Sequence, residues 1–365
     1  METMYRTAAE PWELSGDVGN HRVVVKVPTP GEYVRIEVDW RRRDLHPERC
    51  GVLAHRMEDN SAVNVKAVSV TRRHGEFVLE APQPGEYALY YMPCKRLGDS
   101  WWNPVIEYGR EAFPSCNPEW ERGIPADMPQ GEVIAIESRT DFDSFFPMEL
   151  PAWPEETETL LKPSGAAPFF VFPEERKYPV RMLYELPYRW VQRGLQNQFA
   201  GTARPDEYYV FQLAVLAREE LEEISLEYRG FSGDIPVKAE DITCYNREGV
   251  DWLGRPFTKK QDCPKGRIQP LWFGLMLPAD RRGELTFEVV LSAAGHSETV
   301  AVRIRSEGEP IANHGDGELW RLSRLRWLNS AIGMDDGVAR PYSPVRREGD
   351  TLSCLGRSVT LAENG

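Results

Sequence analysis

The feature that most constrains this chain is a turn-and-strand unit written twice in nearly the same letters. Pro28-Thr-Pro-Gly-Glu-Tyr-Val-Arg-Ile-Glu-Val38 returns as Pro82-Gln-Pro-Gly-Glu-Tyr-Ala-Leu-Tyr-Tyr-Met92, and Gly283-Glu-Leu-Thr-Phe-Glu-Val-Val290 is a looser third version. Proline presets the backbone of a turn and glycine tolerates its remaining angles, so each unit reverses the chain before an alternating run begins. A run of period two buries one face and wets the other, which suits a strand and not a helix. In two-sheet antiparallel folds such a unit carries the chain from one sheet into the strand that closes the other.

The expected fold is mainly β, with two antiparallel β-sandwich domains joined by an irregular segment and a C-terminal helix. Residues 1–18 read as a tail. Residues 19–128 read as the first sandwich, with His21–Val27 and Val63–Val70 as further strands. Residues 129–195 read as a connecting segment. It opens on a strand over Glu132–Glu137, and a short helix over Pro154–Leu161 starts at proline, where a missing N–H costs nothing. Phe169-Phe-Val-Phe172 and the stretch from Tyr184 to Trp190 are too apolar for solvent, so this segment is expected to lie in a groove between two sandwiches. Residues 196–308 read as the second sandwich, with strands over Tyr208–Ala217, Glu223–Tyr228, Val237–Tyr245, Leu271–Leu277, Leu285–Ser292 and Thr299–Arg305. In residues 309–365, Leu322, Leu325, Leu328 and Ile332 fall on one helical face and Trp320 and Trp327 on another. A helix apolar on two sides must be covered on both.

Composition removes several function classes. The net charge of −13, from 44 basic and 57 acidic residues, opposes nucleic acid and anionic membrane surfaces. The N-terminus has no apolar core of a secretory signal, and no apolar run approaches the roughly 20 residues of a membrane helix. Cys50, Cys94, Cys116, Cys244, Cys263 and Cys354 show no C-x-x-C pair, and a chain of 365 residues needs no disulfide framework, so reduced thiols and a cytoplasmic location are expected. Eleven Trp, 14 Tyr and 14 Phe mostly fill cores, and the remainder offer flat faces suited to sugar rings.

A series of blocks gives the sequence a family likeness. Phe145-Phe-Pro-Met-Glu149, Phe172-Pro-Glu-Glu-Arg176 with Val180-Arg-Met182, Leu186-Pro-Tyr-Arg-Trp190 and Gly201 through Gln212, ending Glu207-Tyr-Tyr-Val-Phe-Gln212, come first. Ile242-Thr-Cys-Tyr-Asn246 with Gly249-Val-Asp251, then Ile268-Gln-Pro-Leu-Trp272, follow. Last come Leu319 to Gly337, Pro341-Tyr-Ser-Pro-Val345 and Leu355-Gly-Arg-Ser-Val359. In this order, over roughly residues 85 to 365, they resemble the N-terminal region of bacterial proteins related to glycoside hydrolase family 123. The resemblance implies a non-catalytic accessory region that supports or extends the substrate cleft of a catalytic barrel expected after Gly365, with a glycan as substrate. In that family the carboxylates of a substrate-assisted cleavage belong to the barrel, and no position here matches them. The alternative is a free-standing carbohydrate-binding or scaffold protein.

Sugar contact is the chemistry left to this chain. Trp101, Trp102 and Asn103 form one loop of aromatic and amide groups, and Asn246, Asp251, Trp252 and Arg255 form another. Such mixtures stack on a ring and hydrogen-bond its hydroxyls; packing between domains is the alternative. Hydrolysis needs two carboxyl groups about 5–10 Å apart. Asp141, Asp143, Glu149, Asp335 and Asp336 are the candidates, with Asp335-Asp336-Gly337 read first as a turn. His314-Gly-Asp-Gly-Glu318 has oxygen ligands but no EF-hand spacing, and the six histidines lack H-x-x-x-H or H-E-x-x-H, so no metal and no cofactor is expected. Arg321, Arg324 and Arg326 are expected to pair with acidic groups across the domain boundary rather than to bind an anion.

Overall fold

A computed structural model of the chain describes residues 5–14, 17–99, 102–335 and 337–363. The protein is mainly β and divides into two compact units, one of residues 1–165 and 180–195 and one of residues 166–179 and 196–365.

In the first unit a six-stranded sheet runs in the order Tyr5–Thr7, Glu132–Ser138, His21–Val27, Gly85–Tyr90, Leu53–Arg56, Ala62–Val63. A three-stranded sheet holds Gly31–Asp39, His74–Ala81 and Val65–Val70. The two copies of the repeated unit thus start strands in different sheets. Along Gly31–Asp39, Val34, Ile36 and Val38 point inward while Glu37 stays exposed, and register sets Val34 against Leu79 and Ile36 against Phe77. Val23, Val25, Val27, Tyr87 and Leu89 of the larger sheet join them in one core. Glycine is required opposite Val38: a Cβ on Gly75 would stand 2.8 Å from the Trp40 ring and 2.7 Å from that of Phe77.

In the second unit one sheet runs Phe169–Glu175, Tyr208–Ala217, Ile268–Met276, Thr243–Cys244. Another runs Gln198–Ala203, His296–Ser306, Gly283–Ala293, Ser225–Gly233. Phe211 stacks on Phe273 at 5.1 Å and on Phe199 at 4.9 Å, and Val289, Leu291, Val302 and Ile304 complete the core. Every residue of Tyr208–Ala217 is buried, so both faces of that strand are covered. The segment Ser323–Asn329 lies against it. A buried charge cluster ties three stretches together: Glu207, fully buried, is ion-paired with Arg176 and, at 2.9 Å, with Arg321, and it accepts the Arg204 amide at 2.8 Å.

Four features depart from the sequence reading. Tyr5–Thr7 pairs parallel with Glu132–Ser138, and Gln198–Ala203 pairs parallel with His296–Ser306, so one sheet of each unit has a parallel edge in an otherwise antiparallel array. Residues 129–195 do not act as one irregular connector: Glu132–Ser138 joins the first unit's sheet, and Phe169–Glu175 pairs with Tyr208–Ala217 and gives Phe169 and Val171 to the second core. Val237–Tyr245 is mostly not strand, being a 3₁₀ turn at Ala239–Asp241 and a short Thr243–Cys244 strand. The C-terminal helix is replaced by 3₁₀ turns at Leu319–Arg321 and Ser323–Asn329, hinged at Leu322 with φ 56°. Leu322, Leu325 and Leu328 recur every three residues, which is the 3₁₀ repeat as much as the first steps of an α-helical stripe.

Candidate functional site

Both loops singled out for sugar contact are tips of small hairpins. Lys95–Leu97 pairs with Val105–Glu107, and Trp102 stands between them at 92% exposure, with Asn103 exposed beside it. Trp101 lies outside the described residues. In the second unit Glu248–Val250 pairs with Pro256–Thr258, and Trp252 stands at the tip at 83% exposure. The polar members of this loop build the turn. Asp251 Oδ1 accepts the amides of Leu253 and Arg255 at 2.8 and 2.9 Å, and Asn246 Oδ1 accepts that of Trp272 at 2.8 Å. Asp251 and Arg255 are thereby brought together, while the Asn246 oxygen is committed to the adjoining strand.

The carboxylate candidates are similarly occupied. Asp141 accepts from Thr7 at 2.7 Å, Asp143 from Asn20 and Thr140 at 2.8 and 2.6 Å, and Asp335 from the Gly337 amide at 3.0 Å. Asp336 lies outside the described residues. Asp316 is gripped by two nitrogens of Arg326 at 2.5 and 2.9 Å, whose hydrogen bonds hold its carboxyl below the usual aspartate range. Glu318 pairs with Arg321 at 3.0 Å. Among the described residues no cluster of three or more His, Cys, Asp or Glu is placed to hold a metal ion.

Sequence reasoning missed a cavity of about 450 Å³ in the first unit. The strand Gly31–Asp39 runs into Trp40-Arg-Arg-Arg-Asp44, and the strand Gly85–Tyr90 runs into Tyr91 and Met92; these two ends meet Tyr5, Phe145 and Glu149 around it. Trp40 and Tyr91 form the floor, their rings 5.1 Å apart. The Arg42 guanidinium lies 4.9 Å from one ring and 5.0 Å from the other, and Asp44 fixes it through bonds of 2.9 and 2.6 Å. Arg41 turns away to Glu156, with two bonds of 2.7 Å, and stacks on Tyr188 at 3.4 Å. Glu149 bridges Arg43 at 3.0 Å and Arg181 at 3.2 Å. Phe145 is held by its stack on His21 at 3.8 Å, and burial pushes that imidazole below the ordinary histidine value. Burial likewise pushes Tyr5 up to about 12, and its Oη accepts the Arg41 amide at 2.7 Å, so the phenol keeps a proton to donate. The only hint in the sequence is the abrupt change from alternating strand to Trp-Arg-Arg-Arg-Asp.

Residues 10–139 match the family model described as glycoside hydrolase 123, N-terminal domain. A search of curated proteins finds no match. Among solved structures, a family 123 glycoside hydrolase from Clostridium perfringens is similar at 11% identity and a TM-score of 0.31, over 39% of this chain and 28% of that one. The CooA pilin subunit of enterotoxigenic Escherichia coli is similar at 10% identity and a TM-score of 0.19, over 39% of this chain and 100% of that one. The chain thus spans 28% of the length of the Clostridium enzyme.

Proposed function

We propose, from the match of residues 10–139 to the glycoside hydrolase 123 N-terminal domain model, that this chain is a non-catalytic accessory region of a carbohydrate-active enzyme, which supports a following catalytic barrel or extends its substrate cleft. The family match carries the reading. The exposed apolar side chains of the C-terminal stretch, Trp327 at 53%, Ile332 at 94% and Tyr342 at 64%, support it, since each forgoes in water the stabilisation that a covering partner would give. Continuation of the reading frame past Gly365 into a βα-repeating segment is the expected result; a stop codon there leaves a free-standing binding protein. The 365-residue chain alone is expected to turn over none of a panel of nitrophenyl glycosides, and turnover abolished by a single carboxylate substitution in this chain sinks the accessory reading.

Glycan contact falls to the two hairpin tips, with Trp102 and Asn103 on one and Asn246, Asp251, Trp252 and Arg255 framing the other; Trp101, outside the described residues, belongs to the same reading. The support is the exposure of Trp102 and Trp252, since an indole in water forgoes about 1.5–3 kcal/mol of burial and offers both faces to a pyranose ring. On a glycan array, Trp102→Ala and Trp252→Ala are expected to lose signal with no change in melting temperature; unchanged binding in both variants removes the tips from consideration. A reducing, cytoplasmic setting accompanies this reading, supported by six cysteines that are all free thiols.

A further inference from the structure

We propose that the cavity floored by Trp40 and Tyr91 binds one uncharged sugar ring, a site separate from the hairpin tips. The choice of a sugar among neutral polyols rests on the accessory reading above; the remainder rests on the walls. A volume of about 450 Å³ lies within the range of small-molecule sites, about 300–1,000 Å³, and suits a terminal ring rather than an extended chain. Leu45, 73% exposed at the rim, joins Met92, Phe145 and the edges of Trp40 and Tyr91 as apolar wall for the C–H face of a ring.

Hydrogen-bonding groups stand beside that wall in both senses. Tyr5 has a hydroxyl proton to give. The Arg43 side chain, 46% exposed, spends one nitrogen on Glu149 out of the five N–H donors of a guanidinium. Asp44, 28% exposed, receives one Arg42 nitrogen on each oxygen, and an ionised carboxylate has about four acceptor sites. Donors and acceptors side by side serve a vicinal diol, whose hydroxyls give and accept.

The charges around the cavity are engaged in ion pairs. Arg42 faces Asp44, Arg41 faces Glu156, and Arg43 shares Glu149 with Arg181. An anion entering here meets Asp44 and Glu149, and a cation meets Arg42 and Arg43. A neutral ring displaces none of these pairs, and breaking a partly buried pair is costly.

Saturation-transfer NMR on the 365-residue chain, with the methyl glycosides of glucose, galactose and N-acetylglucosamine and with glucuronate as the charged control, tests this. At least one neutral glycoside is expected to receive saturation, with glucuronate at least tenfold weaker. The Trp102→Ala, Trp252→Ala double variant, which lacks both hairpin-tip indoles, is expected to keep a signal, and Leu45→Trp added to that double variant, which fills the cavity from its exposed rim, is expected to abolish it. Should Leu45→Trp fail to fold, Arg43→Ala at the surface takes its place and is expected to weaken binding at least fivefold. No transfer from any neutral glycoside, equal transfer to glucuronate, or a signal indifferent to the rim variant overturns the proposal. The accessory reading fails by a different observation, turnover by the isolated chain, so the two failures are distinguishable.

Discussion

Glu207 shows what a single residue contributes that its neighbours in sequence cannot reveal. It is fully buried, and its charge is tolerable because Arg176 and Arg321 close on it from 31 and 114 positions away while the Arg204 amide caps it. Replacing it by glutamine leaves the buried Arg176 without its counter-charge and Arg321 with only the partly exposed Glu318. A loss of about 3–5 kcal/mol is expected in guanidinium-induced unfolding, and a loss under about 0.5 kcal/mol, the level of a surface change, means that water reaches the cluster. Sequence reading expected Arg321 to pair with an acid across the domain boundary; it pairs instead with Glu207 and Glu318 of its own unit. The identity of the acid depends on how three distant stretches pack, and no local pattern encodes that. The same limit hid the cavity, whose walls come from the N-terminus, two strand ends and the loop before Glu149. For Trp102 and Trp252 the sequence left sugar contact and packing between domains both open, and both indoles stand exposed.

At the scale of elements, the short helix Pro154–Leu161 was legible and the 3₁₀ turns at Leu319–Asn329 were not. Proline at the first position and acidic residues in the first turn announce a helix start, and the structure adds Glu156 reaching back to the Trp153 amide at 2.7 Å. In the C-terminal stretch the apolar spacing satisfies two repeats at once, and the positive φ at Leu322 decides for the tighter one. The helix start is also a pH-sensitive joint. Burial raises the Glu156 carboxyl, but the Arg41 guanidinium and the Trp153 amide outweigh it, so the group ends below the ordinary glutamate value. A carboxyl depressed in the folded state stabilises the fold above its unfolded value, about 4.3, and the contribution is lost as pH falls through the folded value, because the unfolded chain then binds more protons. The melting temperature is therefore expected to drop between about pH 5 and 3. Arg41→Met removes the partner, so its curve is expected to start lower at neutral pH and to fall less steeply in acid. Parallel curves for the two proteins rule out this pair as a source of the acid sensitivity.

For the whole molecule the decisive fact is that the two hydrophobic cores share no residue: Ile36, Phe77 and Leu89 belong to one, and Phe211, Phe273 and Phe287 to the other. The mainly β class and most of the strands follow from period-two patterning. The division into units did not, because the apolar run Phe169-Phe-Val-Phe172 gives its register only by pairing with Tyr208–Ala217, a partner that sequence spacing does not name. That pairing assigns residues 166–179 to the second unit, while residues 180–195 belong to the first, where Pro187 bridges Pro151. The chain between the units therefore runs through folded structure in both. Separate cores predict that unfolding is not a single all-or-none event, as is usual for chains with more than one domain. Calorimetry is expected to resolve two transitions. Phe77→Ala and Phe273→Ala each empty a buried ring site at a cost of about 3–5 kcal/mol, and each is expected to lower one transition and leave the other in place. If either substitution lowers both transitions equally, the two cores are energetically one, and the division seen in their contacts has no thermodynamic counterpart.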